Sequence, residues 1–397
     1  MEGRRVLRSL TLKNILSFGP EGQTLDFEPL NVLIGPNGSG KSNLLEIIGL
    51  LKSLPRDLAV PIRDGGGIRD WLWKGDDVFP AEIESVWDYI ERELPLTHRL
   101  ALEADGERHR ILYELIEQGN SEDKNYRYHY KYLKSGPSVY GGPDIFDHVD
   151  GAKVAMAQTG FRVDNSIFTQ RKDSQRYPGL AFLERRFSEI LLYRGWFFGP
   201  DSPLRMTQKA DLPSDFLLED GTNLGLVLNN LIFDGRAART IDEHLRKIYE
   251  GADAVRIKVV GGYVEFNIQE DGMRFIPAHR LSDGTLRFLC LLAILCHPDP
   301  PPLICIEEPE LGLHPDLIST IAKLLIDASQ RTQLIVTTHS SDLVSALGDV
   351  PEVVVVCERG LDGTTLERLD PKRMQKWLEK YSLGHLWGMG EIGGNRW

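Results

Sequence analysis

Cysteine is scarce, with four in 397 residues. Cys290, Cys296, Cys305 and Cys357 all lie inside hydrophobic stretches and show no Cys-x-x-Cys or Cys/His spacing. A disulfide framework and a zinc site are therefore both excluded, leaving small buried hydrophobes in a reducing compartment. Long apolar runs are missing too. The longest, Phe288–Cys296, is about half of the ~20 residues that cross a bilayer, so it reads as a buried helix. No signal-peptide core follows Met1-Glu2-Gly3-Arg4-Arg5, and the expected location is the cytoplasm, with no membrane association. No heptad pattern is sustained and no repeat of roughly 20–50 residues occurs, which excludes a long coiled-coil arm and a solenoid. Positive charge is in deficit: 46 Lys plus Arg against 58 Asp plus Glu give a net charge of -12. A surface basic all over is excluded, and any nucleic-acid contact must be focal.

What is present is close to the globular average, 42% hydrophobic and 26% charged, which excludes disordered and collagen-like chains. At ~150 residues per domain the length suits two to three domains, or one α/β core carrying a large insertion. Leu7 to Phe18 alternates as a strand, Gly19-Pro20-Glu21-Gly22 turns, and Gln23 to Phe27 is extended again. Leu30–Ile34 is apolar without alternation, as a strand buried on both faces must be. After a loop, Ser42 to Leu54 has helical periodicity closed by Pro55. The middle is looser. It holds strand patterns at Arg110–Glu117, Tyr126–Leu133, Val255–Val260 and Val264–Gln269, and helical ones at Phe182–Leu192, Thr222–Phe233 and Ala237–Tyr249. Loop composition at Ser135-Gly136-Pro137 and Gly141-Gly142-Pro143 separates some of them. The last third is orderly: helix Thr285–Leu295, strand Leu303–Ile306, helix Leu317–Ser329, strands Gln333–Thr337 and Glu352–Cys357. Such alternation predicts a parallel sheet covered by helices and assembled from both chain ends. The expected division is an N-terminal part of the core at 1–80, an inserted α+β lobe at 81–260, the C-terminal part of the core at 261–360 and a tail at 361–397. In the tail Met374, Trp377, Leu378 and Tyr381 share one helix face, followed by a Gly- and Trp-rich end from Gly384 to Trp397. That face either packs on the body or docks a partner.

Four segments carry chemistry. Gly35-Pro36-Asn37-Gly38-Ser39-Gly40-Lys41-Ser42 satisfies G-x-x-x-x-G-K-[ST] between a buried strand and a helix. Glycines let backbone N–H groups curl around a β-phosphate, the helix aims its positive end at the anion, and Lys41 meets the β- and γ-phosphates. The candidate phosphate cradle runs through Asn37, Gly38, Ser39, Gly40, Lys41, Ser42 and Asn43. The Ser42 hydroxyl is the expected Mg²⁺ ligand. Leu303-Ile304-Cys305-Ile306-Glu307-Glu308-Pro309-Glu310 ends an apolar strand in carboxylates where ligands bind a parallel sheet. Glu307 is placed in the Mg²⁺ shell and Glu308 as general base for water, while Glu310 either bonds nearby loops or is solvated. In Leu281-Ser282-Asp283-Gly284-Thr285-Leu286-Arg287, Ser282 can cap the apolar helix, and its hydroxyl with the Gly284 N–H can form a second anion site. Thr337-Thr338-His339-Ser340 ends another buried strand, placing His339 as a γ-phosphate sensor.

Taken in chain order, Gly35–Ser42, Leu281–Arg287, Leu303–Glu310, Leu313-His314-Pro315 and Thr337–Ser340, the segments resemble the ABC-type ATPase heads of the RecF/SMC-like AAA family, the group that includes OLD-type ATPases. Leu12-Lys13-Asn14-Ile15-Leu16-Ser17-Phe18 and Asp220-Gly221-Thr222-Asn223-Leu224 add to the resemblance, which is strongest over about residues 5–55 and 278–345. It implies a P-loop NTPase of α/β class with a mixed, largely parallel central sheet and a large α+β insertion. It also implies two heads sandwiching two ATP molecules, with Ser282 and Gly284 touching the partner's γ-phosphate, Glu308 as base, His339 as switch histidine and Leu311 to Pro315 crossing the interface. The chain departs from transporter-type members: Glu307 stands for the usual aspartate, the signature lacks a Gly-Gly-Gln ending, and no Gln-loop is evident between Leu54 and Val86. About 58 residues follow His339, too few for a toprim nuclease domain.

The function these readings lead to is Mg²⁺-dependent ATP hydrolysis with ATP-driven homodimerisation, coupled to DNA or a nuclease partner in genome maintenance or phage defence. The alternative is an ATP-holding regulatory scaffold without turnover, and a transporter motor ranks third.

Overall fold

The computed structural model describes residues 3–75, 79–89, 94–119, 127–133, 144–147, 152–155, 162 and 164–393. The start of the Tyr126 strand pattern, the loops at 135–137 and 141–143, and the tail end at 394–397 lie outside the described residues.

β1 (Leu7–Lys13) and β2 (Gln23–Asp26) pair antiparallel, after which β3 (Leu30–Ile34) leads through the Gly-rich loop into α1 (Lys41–Ser53). Short helices α2 (Ala59–Asp64) and α3 (Ile68–Trp71) precede β4 (Ala81–Trp87), β5 (Leu96–Asp105), β6 (Arg108–Gln118), β7 (Arg127–Leu133), β8 (Asp144–Asp147) and β9 (Ala152–Ala155). Next come α4 (Ile167–Gln170), α5 (Pro178–Ser188), β10 (Leu191–Tyr193), β11 (Gln208–Lys209), α6 (Leu224–Asp234) and α7 (Ala238–Ile248). A hairpin of β12 (Ala252–Val260) and β13 (Tyr263–Glu270) is joined by β14 (Arg274–Pro277). The chain closes with α8 (Asp283–Leu295), β15 (Leu303–Glu307), α9 (Ile318–Ser329), β16 (Gln333–Thr337), α10 (Ser341–Ser345), β17 (Val354–Gly360), β18 (Gly363–Arg368), α11 (Pro371–Leu378) and α12 (Leu383–Gly388).

The central sheet has the order β10-β15-β16-β3-β17-β18, with the first five strands parallel and β18 antiparallel at the edge. Alternation along its strands divides the apolar core in two. Leu30, Val32, Ile34, Ile304, Ile306, Leu334 and Val336 face α6, α8 and α9. Leu33, Leu303, Cys305, Ile335 and Val355 face α1, α5 and the antiparallel sheet. Strands covered on both faces need apolar residues at every position, which is why these segments show no alternation. The second sheet, β2-β1-β4-β5-β6-β7-β8-β9 among the described residues, is antiparallel throughout.

Residues 81–260, expected as one lobe, contribute to three sheets. β4–β9 extend the sheet begun by β1, β10 enters the central sheet, and β11 and β12 join β13 in a small antiparallel one. The helix expected at Phe182–Leu192 divides. Pro178 opens α5 one turn earlier, the helix ends at Ser188, and Leu191–Tyr193 pairs with β15 instead. The tail face also differs, because α11 stops at Leu378. Met374 is buried, whereas Trp377 and Tyr381 are 44% and 41% exposed.

One side chain clasps the two large sheets. Gln333, at the start of β16 and fully buried, accepts hydrogen bonds from Val6 N (3.1 Å) and Leu7 N (2.8 Å) and donates to Leu7 O (2.9 Å). Gln333→Ala strands these buried backbone groups, a loss of about 2–3 kcal/mol. Thermal denaturation followed by circular dichroism should show a lowered Tm, and an unchanged Tm would contradict the clasp.

Candidate functional site

The loop after β3 is pressed from behind by neighbouring chain. Gly35 has φ 149 and a Cβ there would overlap the Cys357 carbonyl on β17; Gly40 has φ 104 and a Cβ there would overlap the hydroxyls of Thr364 and Ser17. Only glycine fits either position. Thr364 donates to Ser39 O (2.9 Å) and lies 2.7 Å from Ser17 Oγ, so β18 and the loop after β1 brace the turn. α1 then begins with no side-chain cap and no acidic residue in its first turn. Its free N–H groups and positive dipole end are left for an anion. Two further observations fit that ligand. The Ser39 hydroxyl is buried without a partner, and a Cβ at Gly38 would meet nothing within 4 Å, so the mouth of the loop is open.

Lys41 Nζ is folded back onto Gly35 O (2.7 Å) and Pro36 O (3.0 Å). Burial pushes this ammonium below its ordinary value, opposed by the charges of Glu308 and Glu307. An arriving phosphate would give it a stronger partner than two neutral carbonyls. Ser42 Oγ donates to Glu307 Oε1 at 2.7 Å, bringing together residues from opposite ends of the chain. These hard oxygen donors suit Mg²⁺. Among the described residues no cluster of three or more His, Cys, Asp or Glu side chains forms a complete metal cage.

Glu308 is left-handed, with φ 47. Non-glycine residues rarely adopt this backbone, which costs about 1–3 kcal/mol and persists only where the surroundings impose it. Here Glu308 N donates to Thr337 O (3.0 Å), and Arg287 Nη1 donates to Glu308 O (2.9 Å). The turn directs the Glu308 carboxylate to 3.5 Å from His339 Nε2. Burial and the Lys41 charge push His339 down, against the pull of Glu308 and Glu307, which favours the neutral imidazole. Glu310 is not solvated. It accepts from the Thr338 hydroxyl and from His339 N (3.1 Å), burial pushes its carboxyl up, and it fixes the loop that carries His339.

Lys41, Ser42, Glu307, Glu308 and His339 thus converge, beside a loop on which Asn37 and Gly38 are exposed, with Asn43 half-buried in the first turn of α1. Ser282 and Gly284 do not join them. Ser282 Oγ caps α8 by accepting from Thr285 N (3.1 Å), and Gly284 lies so close to Gly312 that a Cβ would sit 2.9 Å from its carbonyl oxygen. They line a separate cleft of about 590 Å³ with Gly312 and His314, and no residue of the Gly-rich loop lines it. The sequence reading missed Arg194, which follows β10 and donates to Glu307 Oε2 (3.1 Å), and Arg287, which lies over the rings of Phe198 and Trp196 at 5.2 and 5.8 Å. The signal for Arg194 was the three apolar residues before it. The first two, Leu191 and Leu192, also continue the helical pattern that starts at Phe182.

Over residues 30–345 the chain matches the model of the family described as "AAA domain, putative AbiEii toxin, Type IV TA system". Curated proteins give no significant match. Among solved structures it is similar to an Smc head bound to the C-winged helix domain of ScpA, with TM-score 0.59, 14% identity, and 93% of this chain and 99% of that chain covered. It is likewise similar to the Pyrococcus furiosus Smc head with an extended coiled coil bound to the C-terminal domain of ScpA, with TM-score 0.56, 14% identity, and 94% and 98% covered. A Pyrococcus yayanosii Smc head with coiled coil and joint follows at TM-score 0.50, 12% identity, and 94% and 99% covered. At such identities the likeness shows the fold alone, a P-loop α/β fold like that of the Smc heads.

The backbone strain is measurable apart from any chemistry. Glu308→Gly should be more stable than Glu308→Ala by about 1 kcal/mol, because both lose the carboxylate and only glycine is at ease there. Urea titrations giving equal stabilities would show that the turn is unstrained.

Proposed function

Because the chain belongs to this AAA-domain family, we propose that it is an Mg²⁺-dependent ATPase whose nucleotide drives two heads together. The observation that carries the reading is the convergence of Lys41, Ser42 and Glu307 at the uncapped start of α1, beside Glu308 and His339. Asn37 through Asn43 bind the triphosphate, with Lys41 leaving its carbonyl partners for the β- and γ-phosphates. Ser42 and Glu307 hold Mg²⁺, which when bound neutralises developing phosphate charge. Glu308, a third exposed, accepts a proton from the attacking water, and neutral His339 orients that carboxylate toward the γ-phosphate. Ser282 and Gly284 lie in a cleft apart from Lys41, which supports their acting on the nucleotide of a second copy across an interface that includes Leu311 to Pro315.

On this reading the central sheet with its flanking helices is the motor, and residues within 81–260 carry its motion to a partner, DNA or a nuclease, in genome maintenance or phage defence. No helix among the described residues is long and apolar enough to cross a membrane, and a cytoplasmic location is part of the proposal.

Lys41→Ala should weaken ATP binding at least 100-fold by calorimetry, and unchanged affinity would remove the cradle from the account. Glu308→Gln should retain ATP and accumulate as a dimer in light scattering while turnover falls by roughly 100-fold or more. Wild-type turnover in that variant would exclude Glu308 as base. Absence of turnover in the wild type, with ATP retained, would favour the scaffold reading.

A further inference from the structure

Arg194 is the first residue past β10, and the pairing of Tyr193 with Ile306 brings it beside Glu307 on the neighbouring strand. Its guanidinium spans two carboxylates, with Nε 3.1 Å from Glu307 Oε2 and Nη2 3.5 Å from Glu46 Oε1 on α1. The other oxygen of Glu307 takes the Ser42 hydroxyl. The carboxylate assigned to the metal is therefore already engaged on both oxygens, on one of them by a cation.

One residue braces both flanks of Arg194, through the backbone of Leu192 and the side chain of Trp196. Glu219 accepts from Leu192 N through its carboxylate (2.6 Å) and from the Trp196 indole through its carbonyl (2.9 Å). Movement is left to the side chain, which is 30% exposed. A guanidinium cannot give up its charge, so it frees Glu307 only by turning to another anion. Glu46 alone is a weak alternative at 3.5 Å. A terminal phosphate gives two or three acceptor oxygens in the geometry guanidinium prefers, and a diphosphate brings one phosphoryl group fewer to this end of the site.

We propose that Arg194 is an internal counter-ion that occupies Glu307 until a magnesium triphosphate arrives and then exchanges that carboxylate for the terminal phosphate, so that it sets the preference for ATP over ADP. This rests on the ATPase reading above. It makes Arg194 a competitor of Mg²⁺ in the empty site and a ligand of the nucleotide in the filled one. No residue between Leu54 and Val86 is needed for either role.

The test is a titration of fluorescent mant-ATP and mant-ADP binding against Mg²⁺, with folding of each variant followed by its melting curve. In Arg194→Gln the Mg²⁺ concentration at half-saturation should fall about threefold to fivefold, the scale of a partly exposed ion pair. The ratio of ATP to ADP affinity should fall by a similar factor. Glu46→Gln should move half-saturation the opposite way, because Arg194 is then left to Glu307 alone. A merely structural ion pair would shift melting temperature without moving either nucleotide quantity. Unchanged Mg²⁺ dependence and an unchanged ATP/ADP ratio in Arg194→Gln overturn the proposal. If that variant does not fold, the sign of the Glu46→Gln shift decides, and no shift or a shift downward overturns it. Wild-type binding that Lys41→Ala abolishes, together with ATP turnover by the wild type, shows that the ATPase reading stands even when the Arg194 proposal fails. If the wild type binds neither nucleotide, both fall.

Discussion

Three adjacent parallel strands end level with one another, and the candidate site hangs from those ends. Leu33 of β3, Thr337 of β16 and Glu307 of β15 are in register. The chain leaves β3 for the Gly-rich loop, β15 for Glu308 and Glu310, and β16 for Thr338 and His339. Backbone hydrogen bonds tie the exits together, Thr338 N to Leu33 O at 3.1 Å and Glu308 N to Thr337 O at 3.0 Å. A slip of one residue in either pairing would turn side chains to the opposite face and separate Ser42 from Glu307. The apolar strands and the helices packed on both faces therefore serve chiefly to fix that register.

Against this rigid frame the polar groups are held under tension. Lys41 is buried against carbonyls, Glu308 sits in a left-handed turn, and Glu307 is held by Arg194. On the proposed reading a magnesium nucleotide replaces the present partners of Lys41 and Glu307. The segment after β10 leads to Arg205 and its ion pair with Asp283. Arg205 also donates to Leu281 O (2.6 Å), so the turn carrying Ser282 and Gly284 is tied to the chain that leaves the metal side of the site.

The parts readable from sequence are those whose physics is local. The P-loop spacing, the carboxylates closing an apolar strand and the Ser282 cap each need only a few consecutive residues. The central sheet was readable because strands buried on both faces must be continuously apolar. Arg194 was not, because a three-residue strand is too short for any periodicity and its identity comes from pairing with β15 far along the chain. The spread of residues 81–260 over three sheets was hidden for the same reason, since β4 finds its partner in β1 and β10 finds its own in β15. Trp377 and Tyr381 kept helical spacing in the sequence, but α11 ended before Tyr381 and left both half exposed.

The central claim is that one copy grips the triphosphate and a second copy completes the site. The most direct measurement is a crystal structure of the protein with Mg²⁺ and a non-hydrolysable ATP analogue. The account predicts two copies related by a two-fold axis, with Ser282 and Gly284 of each turned to the terminal phosphate held at the partner's Lys41. A nucleotide bound at Lys41 in a lone copy, with the Ser282 turn facing solvent, would contradict it.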